Sequence, residues 1–382
     1  MKKVLSFLFA ICLMLSISTT AFASETKKSE KVAAQSEAAA NYLTEGRASY
    51  TVESAVDYLN LTKSGKDMLK FDEGFFNSVK ANLDANGGKL IVYGSESITS
   101  YAAVIQILYA LDMDPENFYG YNLNAAFTAM DPTLSLSNPY YYKVVIPATT
   151  LIDNAEDFGK KLCDNFIENY YKMGSGMDYY GFACDNTANF IAAVSSYADD
   201  YSDILKDAFT ILESYKVDGG YCYNPEYGSE PNCNSTALAL MAYSEYVINA
   251  DDGEKYLEKT HQIYANLCTF ENPNKTGVFT YDGEDSALST SDALWGINSY
   301  FRVALVQDII DDDSKDDNNN SSESTTSAAA TTKPAQSAKT QTTKKTNTSK
   351  KSPATGINET GVCVTISLLA AASATALLKK KK

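Results

Sequence analysis

The chain has 382 residues, room for one large domain or two ordinary ones. Its net charge is −16, and residues 25–310 alone carry −22. A body this acidic excludes nucleic acid as a partner, because phosphate contacts need Lys and Arg; on a cell surface the same charge serves solubility and self-repulsion.

In chain order, Met1 to about Ser24 has Lys2 and Lys3, an apolar run from Val4 to Ile17, and the small residues of Ala21-Phe22-Ala23. That pattern reads as a secretory signal, residues 1–23, cut after Ala23. Cys12 follows Ile11 rather than the small residue a lipoprotein site wants, so lipidation is not expected. Residues 24–44 are charged and Ala-rich and read as a flexible lead-in or frayed helix. Residues 45–310 form the folded body. Residues 311–351 begin with the acidic run Asp311–Asp317 and continue in Asn, Ser, Thr and Lys. Such a segment cannot bury enough surface to fold. It reads as a disordered stalk reaching at most roughly 130 Å. Residues 352–382 hold Ser352-Pro353-Ala354-Thr355-Gly356, an apolar run from about Val362 to Leu378, and Lys379–Lys382. The apolar run is at the short limit for a membrane span, and the lysines would hold its end at the cytoplasmic face.

The body is helical nearly throughout. Phe158–Tyr171, Tyr201–Tyr215 and Tyr256–Phe270 each carry an apolar stripe at helical spacing, such as Leu162, Phe166, Ile167 and Tyr170. Strand-like alternation is short and follows glycines. A unit recurs: an amphipathic helix, a glycine turn, an aromatic hook, then a Ser/Thr/Asn cap opening an Ala-rich helix. The clearest is Asp218-Gly219-Gly220-Tyr221-Cys222-Tyr223 followed by Ser235-Thr236-Ala237-Leu238. Gly277-Val278-Phe279-Thr280-Tyr281 leads to Ser291-Asp292-Ala293, Gly181-Phe182 to Asn186-Thr187-Ala188, and Gly87-Gly88 to Thr99-Ser100. Thr187, Thr236 and Ser291 lie 49 and 55 residues apart, and the gap before Thr187 leaves room for a degenerate unit around Tyr140–Leu151. Periods near 50 suit repeated helix pairs.

Residues 212–246 resemble the prenyltransferase and squalene-cyclase repeat, whose hallmark is Asp-Gly-Gly-aromatic before a Ser/Thr-Ala-rich helix. The resemblance extends in outline over about 50–305. It implies an all-α fold: an α/α toroid built from repeated helix hairpins, as in terpenoid cyclases, prenyltransferase β chains, thioester-containing complement domains and intrinsic factor. The C-terminal segment resembles the cell-wall sorting signal of Gram-positive surface proteins, with Ser352 where the commonest form has Leu. That resemblance implies a sortase cutting between Thr355 and Gly356 and joining Thr355 to peptidoglycan.

Each enzyme of the toroid family needs residues that can be sought. Squalene-type cyclases use Asp-x-Asp-Asp; the nearest match in the body, Asp282-Gly283-Glu284-Asp285, has Glu in the middle and reads as a solvated turn. Prenyltransferases hold zinc with Asp, Cys and His, but the only histidine is His261 and no Asp-x-Cys accompanies it. Neither a metal nor a cofactor is expected. A serine triad would depend on the same single histidine and is not expected either, and Gly-Cys-Gly-Glu-Gln is absent. A glycosidase would need only two carboxylates; Asp185, Asp218, Asp282, Asp285 and Asp292 are candidates the sequence does not rank.

Five cysteines remain inside the body: Cys163, Cys184, Cys222, Cys233 and Cys268. A secreted protein permits disulfides, and Cys222 with Cys233, flanking one loop, is the best pair. The 27 tyrosines against a single tryptophan stand out. Tyrosine gives rigid contact area with a hydroxyl, and Tyr140, Tyr141, Tyr142, Tyr179, Tyr180, Tyr221, Tyr223, Tyr227 and Tyr281 fall at or near turns. Tyr221, Tyr223, Tyr227 and Tyr281 are therefore ligand-binding candidates, with Tyr221 and Phe279 equally readable as plugs of helix ends and Tyr227 as exposed. The leading expectation is a secreted, wall-anchored surface protein whose head is a non-catalytic binding module for a glycan, a protein, or an apolar or corrinoid ligand. The alternative is a terpenoid-cyclase or prenyltransferase-like enzyme with Asp218 near its site.

Overall fold

The computed structural model describes residues 27–133, 136, 138–172 and 182–320, with side chains as far as Asp311. The signal segment, Tyr179, Tyr180, Gly181, the rest of the stalk and the segment holding Thr355 and Gly356 lie outside the described residues.

The chain is all-α, and its helices alternate in character. One series is amphipathic: α1 (Lys28–Thr44), α3 (Leu69–Ala85), α5 (Leu123–Thr128), α7 (Glu156–Lys172), α9 (Ser202–Glu213) and α11 (Leu257–Cys268). In α7 only Gly159, Leu162, Cys163, Phe166 and Tyr170 are buried, the one-sided spacing of a helix lying on a core. The other series is buried on nearly every side: α2 (Ala55–Thr62), α4 (Ile98–Ala110), α6 (Tyr142–Thr149), α8 (Cys184–Val194), α10 (Cys233–Asn249) and α12 (Ala287–Asn320). Ten of the eleven residues of α8 are buried. The expected degenerate unit around Tyr140–Leu151 is occupied by α6.

The buried series packs in order. α2 contacts α4, α4 contacts α6, α6 contacts α8, α8 contacts α10, α10 contacts α12, and α12 returns to α2. The amphipathic helices lie against these: α1 on α12, α5 on α4, α7 on α6 and α8, α9 on α8, and α11 on α10 and α12. α3 reaches α2 through the stacked rings of Phe75 and Tyr58, 4.2 Å apart.

Three short antiparallel hairpins each precede a buried helix: β1 (Ile91–Val92) with β2 (Ser95–Glu96), β3 (Lys216–Val217) with β4 (Gly220–Tyr221), and β5 (Thr280–Tyr281) with β6 (Glu284–Asp285). Their hydrogen bonds repeat. The carbonyls of Leu90, Tyr221 and Phe279 accept the N–H of Ser97, Asn232 and Ser286 at 2.9, 3.0 and 3.0 Å. Those three residues are the true helix caps: Ser97 Oγ, Asn232 Oδ1 and Ser286 Oγ accept the N–H of Ser100, Ser235 and Ser289. Each such cap stabilises its helix by about 1 kcal/mol. The expected capping role of Ser235-Thr236 and Ser291 is thereby corrected by several residues. Thr236 Oγ1 instead accepts the Tyr221 N–H at 3.0 Å, and Thr290 Oγ1 does the same for Phe279. A Cβ on Gly220, at φ 154°, would stand 2.5 Å from Thr236 Oγ1, so this closure requires glycine.

Both ends of the body differ from expectation. Residues 28–44 are not a loose lead-in but the helix α1, with Val32, Gln35, Ser36, Ala39 and Ala40 buried. Its small residues permit close approach, and polar ties fix it: Ser36 Oγ donates to Asn298 Oδ1 at 2.6 Å, and Ser29 N–H to Asp308 Oδ2 at 2.9 Å. At the other end α12 runs on to Asn320, ten residues into the segment read as stalk. Much of the tyrosine content is also structural. Tyr50, Tyr58, Tyr101, Tyr142, Tyr170, Tyr243, Tyr246 and Tyr300 are among the largest fully buried side chains.

Candidate functional site

The buried helices carry many small polar residues but few charged ones turned away from solvent. Lys63 caps the C-terminus of α2. α4 carries Gln106, α6 Lys143, α8 Asp185, α10 Asn234 and Glu245, and α12 Asp292, Trp295 and Arg302. The six charged groups are half-buried by accessible surface. Yet desolvation is the leading influence on the ionisation of Lys63, Lys143, Asp185, Glu245 and Asp292. These groups are therefore largely enclosed by protein while part of their surface stays accessible.

Contacts also join helices that are not neighbours in the packing order. Trp295 of α12 lies under two ammonium groups, Lys143 Nζ at 4.9 Å and Lys63 Nζ at 5.3 Å from its ring centre. α6 and α12 are three steps apart in the packing order, so Lys143 and Trp295 meet across the interior. Such cation–π contacts are stronger where water is scarce.

Around Trp295 the charges fall into two groups. In the first, Arg302 Nη1 donates to both oxygens of Glu245, at 3.0 and 2.9 Å, and Ser299 Oγ donates to the same carboxylate at 2.7 Å. Burial alone would raise the Glu245 pKa, but Arg302, Ser299 and Lys63 together hold it below the ordinary range. Lys63 Nζ donates to Gln106 Oε1 at 3.2 Å, and burial brings its pKa down to about 8 against the pull of Glu245. This group is held together by its own ion pair and hydrogen bonds and reads as structural.

The second group has open valences. It centres on Asn234 and Ser235 in the first turn of α10, between α8 and α12. Ser235 Oγ donates to Asp185 Oδ1 at 2.7 Å. Asn234 Nδ2 donates to Asp292 Oδ2 at 2.7 Å, while Asn234 Oδ1 accepts from Ser289 Oγ at 2.9 Å. Among the described residues, Asp185 Oδ2, Asp292 Oδ1 and Lys143 Nζ have no hydrogen-bond partner. Burial raises the Asp185 pKa to about 7; the Ser235 bond opposes this, Asp292 adds to it, and Lys143 opposes it. Asp292 is raised by burial too, with Lys143 and Asn234 opposing. Lys143 is lowered by burial and supported by both carboxylates. The arrangement is two carboxylate oxygens and one ammonium group, close enough to influence one another's ionisation and without a hydrogen-bond partner among the described residues. It suits a ligand rich in hydroxyls, which can donate to the carboxylates and accept from Lys143 at once.

The loop between β4 and α10 borders this group. Tyr223 O accepts the N–H of Cys184, the residue before Asp185, at 2.9 Å. Tyr227, on the same loop, is 81 % exposed. Tyr281 in β5 is exposed as well, whereas Tyr221 is a buried plug whose hydroxyl donates to Glu213 at 2.8 Å. Of the five unranked carboxylates, the structure brings Asp185 and Asp292 to the interior. Asp218 is exposed in the β3–β4 turn, and Asp282 and Asp285 belong to the β5–β6 hairpin, where Asp285 pairs with Lys275. The expected Cys222–Cys233 disulfide is not formed. Cys222 Sγ donates to Tyr215 O and Cys233 Sγ to Ser289 O, each turned to its own neighbour. His261 bonds through Nδ1 to the Tyr300 hydroxyl at 2.9 Å, and no described cluster of three His, Cys, Asp or Glu could hold a metal ion.

Sequence reasoning missed Lys143, Asn234, Trp295, Lys63, Glu245 and Arg302. A signal was present: single charges in otherwise apolar helices, as in Tyr142-Lys143-Val144-Val145 or Phe301-Arg302-Val303. No protein-family model matches the chain, and no curated protein matches its sequence.

Proposed function

We propose that this is a secreted, cell-wall-anchored surface protein whose head is an α/α toroid that binds a hydroxyl-rich ligand, a glycan, in its interior at the α10 N-terminal end. Among the described residues the toroid comprises six buried inner helices and six amphipathic outer ones; the packing order that returns from α12 to α2 supports it. The observation that carries the binding reading is the unpartnered trio Lys143 Nζ, Asp185 Oδ2 and Asp292 Oδ1, gathered from α6, α8 and α12 around Trp295. Tyr223 and Tyr227 form the rim. A charged interior disfavours an isoprenoid chain, which would have to desolvate these groups without satisfying them.

A panel of soluble oligosaccharides, farnesyl diphosphate and a squalene analogue tests the reading by calorimetry on the mature protein. Saturable binding of an oligosaccharide, lost in Asp292→Asn and Lys143→Gln, is the expected result. Turnover or tight binding of the isoprenoids, removed by Asp218→Asn, would overturn it. Anchoring is tested separately: Thr355→Ala should leave the protein out of the covalent wall fraction, and an unchanged fraction would count against sortase attachment at Thr355-Gly356.

A further inference from the structure

The β1–β2 and β5–β6 hairpins turn through the same two-residue loop. Val92 pairs with Ser95 and Tyr281 with Glu284, and both loop residues have positive φ: Tyr93 52° and Gly94 84° in one, Asp282 50° and Gly283 82° in the other. The first position of such a turn favours Asn, Asp or Gly, because the left-handed region disfavours a bulky side chain. Asp282 obeys that rule and Tyr93 breaks it. No packing compensates: the Tyr93 ring is 90 % exposed and makes no ring, cation or hydrogen-bond contact among the described residues. Tyr119, at φ 51° in a similar turn, is explained by its contacts, edge-on to Phe118 at 4.7 Å and under the Lys80 ammonium at 5.8 Å.

The hairpin tips share the end of the body that holds the interior cluster. The first turns of α8, α10 and α12 are level, since Ser235 reaches Asp185 and Asn234 reaches both Ser289 and Asp292. α4 runs the same way: Lys63 bonds Gln106 far along α4 and attracts Glu245 far along α10. The β1–β2 hairpin, the loop after β4 and the β5–β6 hairpin lead directly into α4, α10 and α12, so Tyr93, Tyr227 and Tyr281 stand at one end, all exposed.

We propose that Tyr93, with Tyr227 and Tyr281, forms outlying stacking subsites for an uncharged polysaccharide, so that the ligand is a chain of several sugars. The proposal rests on the glycan reading of the interior cluster. A tyrosine ring offers a flat apolar face to the C–H face of a pyranose and a hydroxyl to its edge. The three rings stand singly, and their exposed neighbours are small or acidic, as in Gly94-Ser95, Gly228-Ser229 and Asp282-Gly283. A protein interface needs a contiguous apolar core instead. Charge selects against an acidic chain, because exposed Glu226 and Glu230 lie either side of Tyr227, and exposed Asp282 and Glu284 follow Tyr281.

The mature protein is titrated by calorimetry with cello-, malto-, xylo- and manno-oligosaccharides, each as disaccharide and hexasaccharide, and with polygalacturonate. In a series that binds, the hexasaccharide should bind at least about tenfold tighter than the disaccharide, and Tyr93→Asn/Tyr281→Ser should bring that ratio close to one. Tyr93→Asn alone restores the preferred turn residue, so it should melt no lower than wild type, which separates a lost contact from a lost fold. Asp292→Asn should remove disaccharide and hexasaccharide binding alike. A length advantage that persists in the double variant overturns the outlying subsites, whereas disaccharide binding untouched by Asp292→Asn overturns the interior reading. Equal affinity for both lengths, tighter binding of polygalacturonate, or no binding in any series would also overturn the proposal. So would retention of a mannoprotein stripped of its glycans, if lost in Tyr93→Asn, since this end would then be a protein interface.

Discussion

Asp185 gives the sharpest energetic test, because its carboxyl is a conditional guest in the fold. Its pKa rises from an ordinary 3.8 to about 7 on folding, chiefly through burial. Between those values the folded chain keeps a proton that the unfolded chain has released, so stability is fully present below about pH 4 and falls as pH rises through 7. Each tenfold change in proton affinity is worth about 1.36 kcal/mol, so the rise corresponds to about 4 kcal/mol. Water reaches the site, so the realised cost is about 2–4 kcal/mol. Asp185→Asn removes the titration while keeping an acceptor for Ser235 Oγ. For about 285 ordered residues an unfolding entropy near 2.1 cal/mol/K each converts the loss into roughly 3–7 °C. The assay is thermal unfolding by circular dichroism at pH 5 and pH 8. The Asp185→Asn variant should melt within a degree or two of wild type at pH 5 and about 3–7 °C above it at pH 8. Parallel pH profiles for the two proteins would refute the placement of Asp185 in a desolvated interior.

Glu245→Ala strands Arg302 in the interior and should cost about 3–5 kcal/mol, read as a lower midpoint in urea unfolding; a loss below about 1 kcal/mol would mean the pair is solvated. Because the folded Glu245 pKa lies below its ordinary value, its contribution is present above about pH 4.5 and is lost as pH falls through the folded value; Glu245→Gln should therefore flatten the acid limb of the stability profile. Gly277→Val places side-chain atoms against the Ala39 backbone, where even a Cβ would stand 2.4 Å from the nitrogen, so it should expose the 28–44 segment to proteases well before the rest of the body. Tyr227→Ala should change stability by less than about 0.5 kcal/mol, since the ring is 81 % exposed, yet weaken glycan binding in the same preparation. Alkylation of the unreduced, denatured protein should label both Cys222 and Cys233; a peptide joined through them would contradict the packing of their thiols.

The helical class was legible because burial leaves a period in the residues. The stripes of Phe158–Tyr171, Tyr201–Tyr215 and Tyr256–Phe270 became α7, α9 and α11 to within about three residues at either end. The hooks were legible because a glycine at positive φ has few substitutes. Cap positions were not, since Asn232, Ser235 and Thr236 are all competent caps and only the hook's hydrogen bonds decide among them. α1 looked loose because its apolar content is mostly alanine, and alanine's contribution depends on how near α12 comes. The tyrosines misled for a related reason. A hydroxyl that finds Glu213 or Asp72 lets a ring such as Tyr243 or Tyr58 sit in the core at no polar cost. The interior cluster was invisible as a cluster because Lys143, Asp185, Asn234 and Asp292 are joined by the packing order and not by spacing along the chain.

That cluster contains the chain's single tryptophan, so its occupancy can be read without a label. The most direct measurement is the fluorescence of Trp295 in the mature protein during titration with an oligosaccharide that calorimetry shows to bind. Ligand contacting Lys143 must alter the cation above the indole ring, so the emission should change saturably with the calorimetric midpoint, and Asp292→Asn should abolish both signals. Full calorimetric binding with an unmoved Trp295 spectrum would place the ligand elsewhere and contradict the interior site.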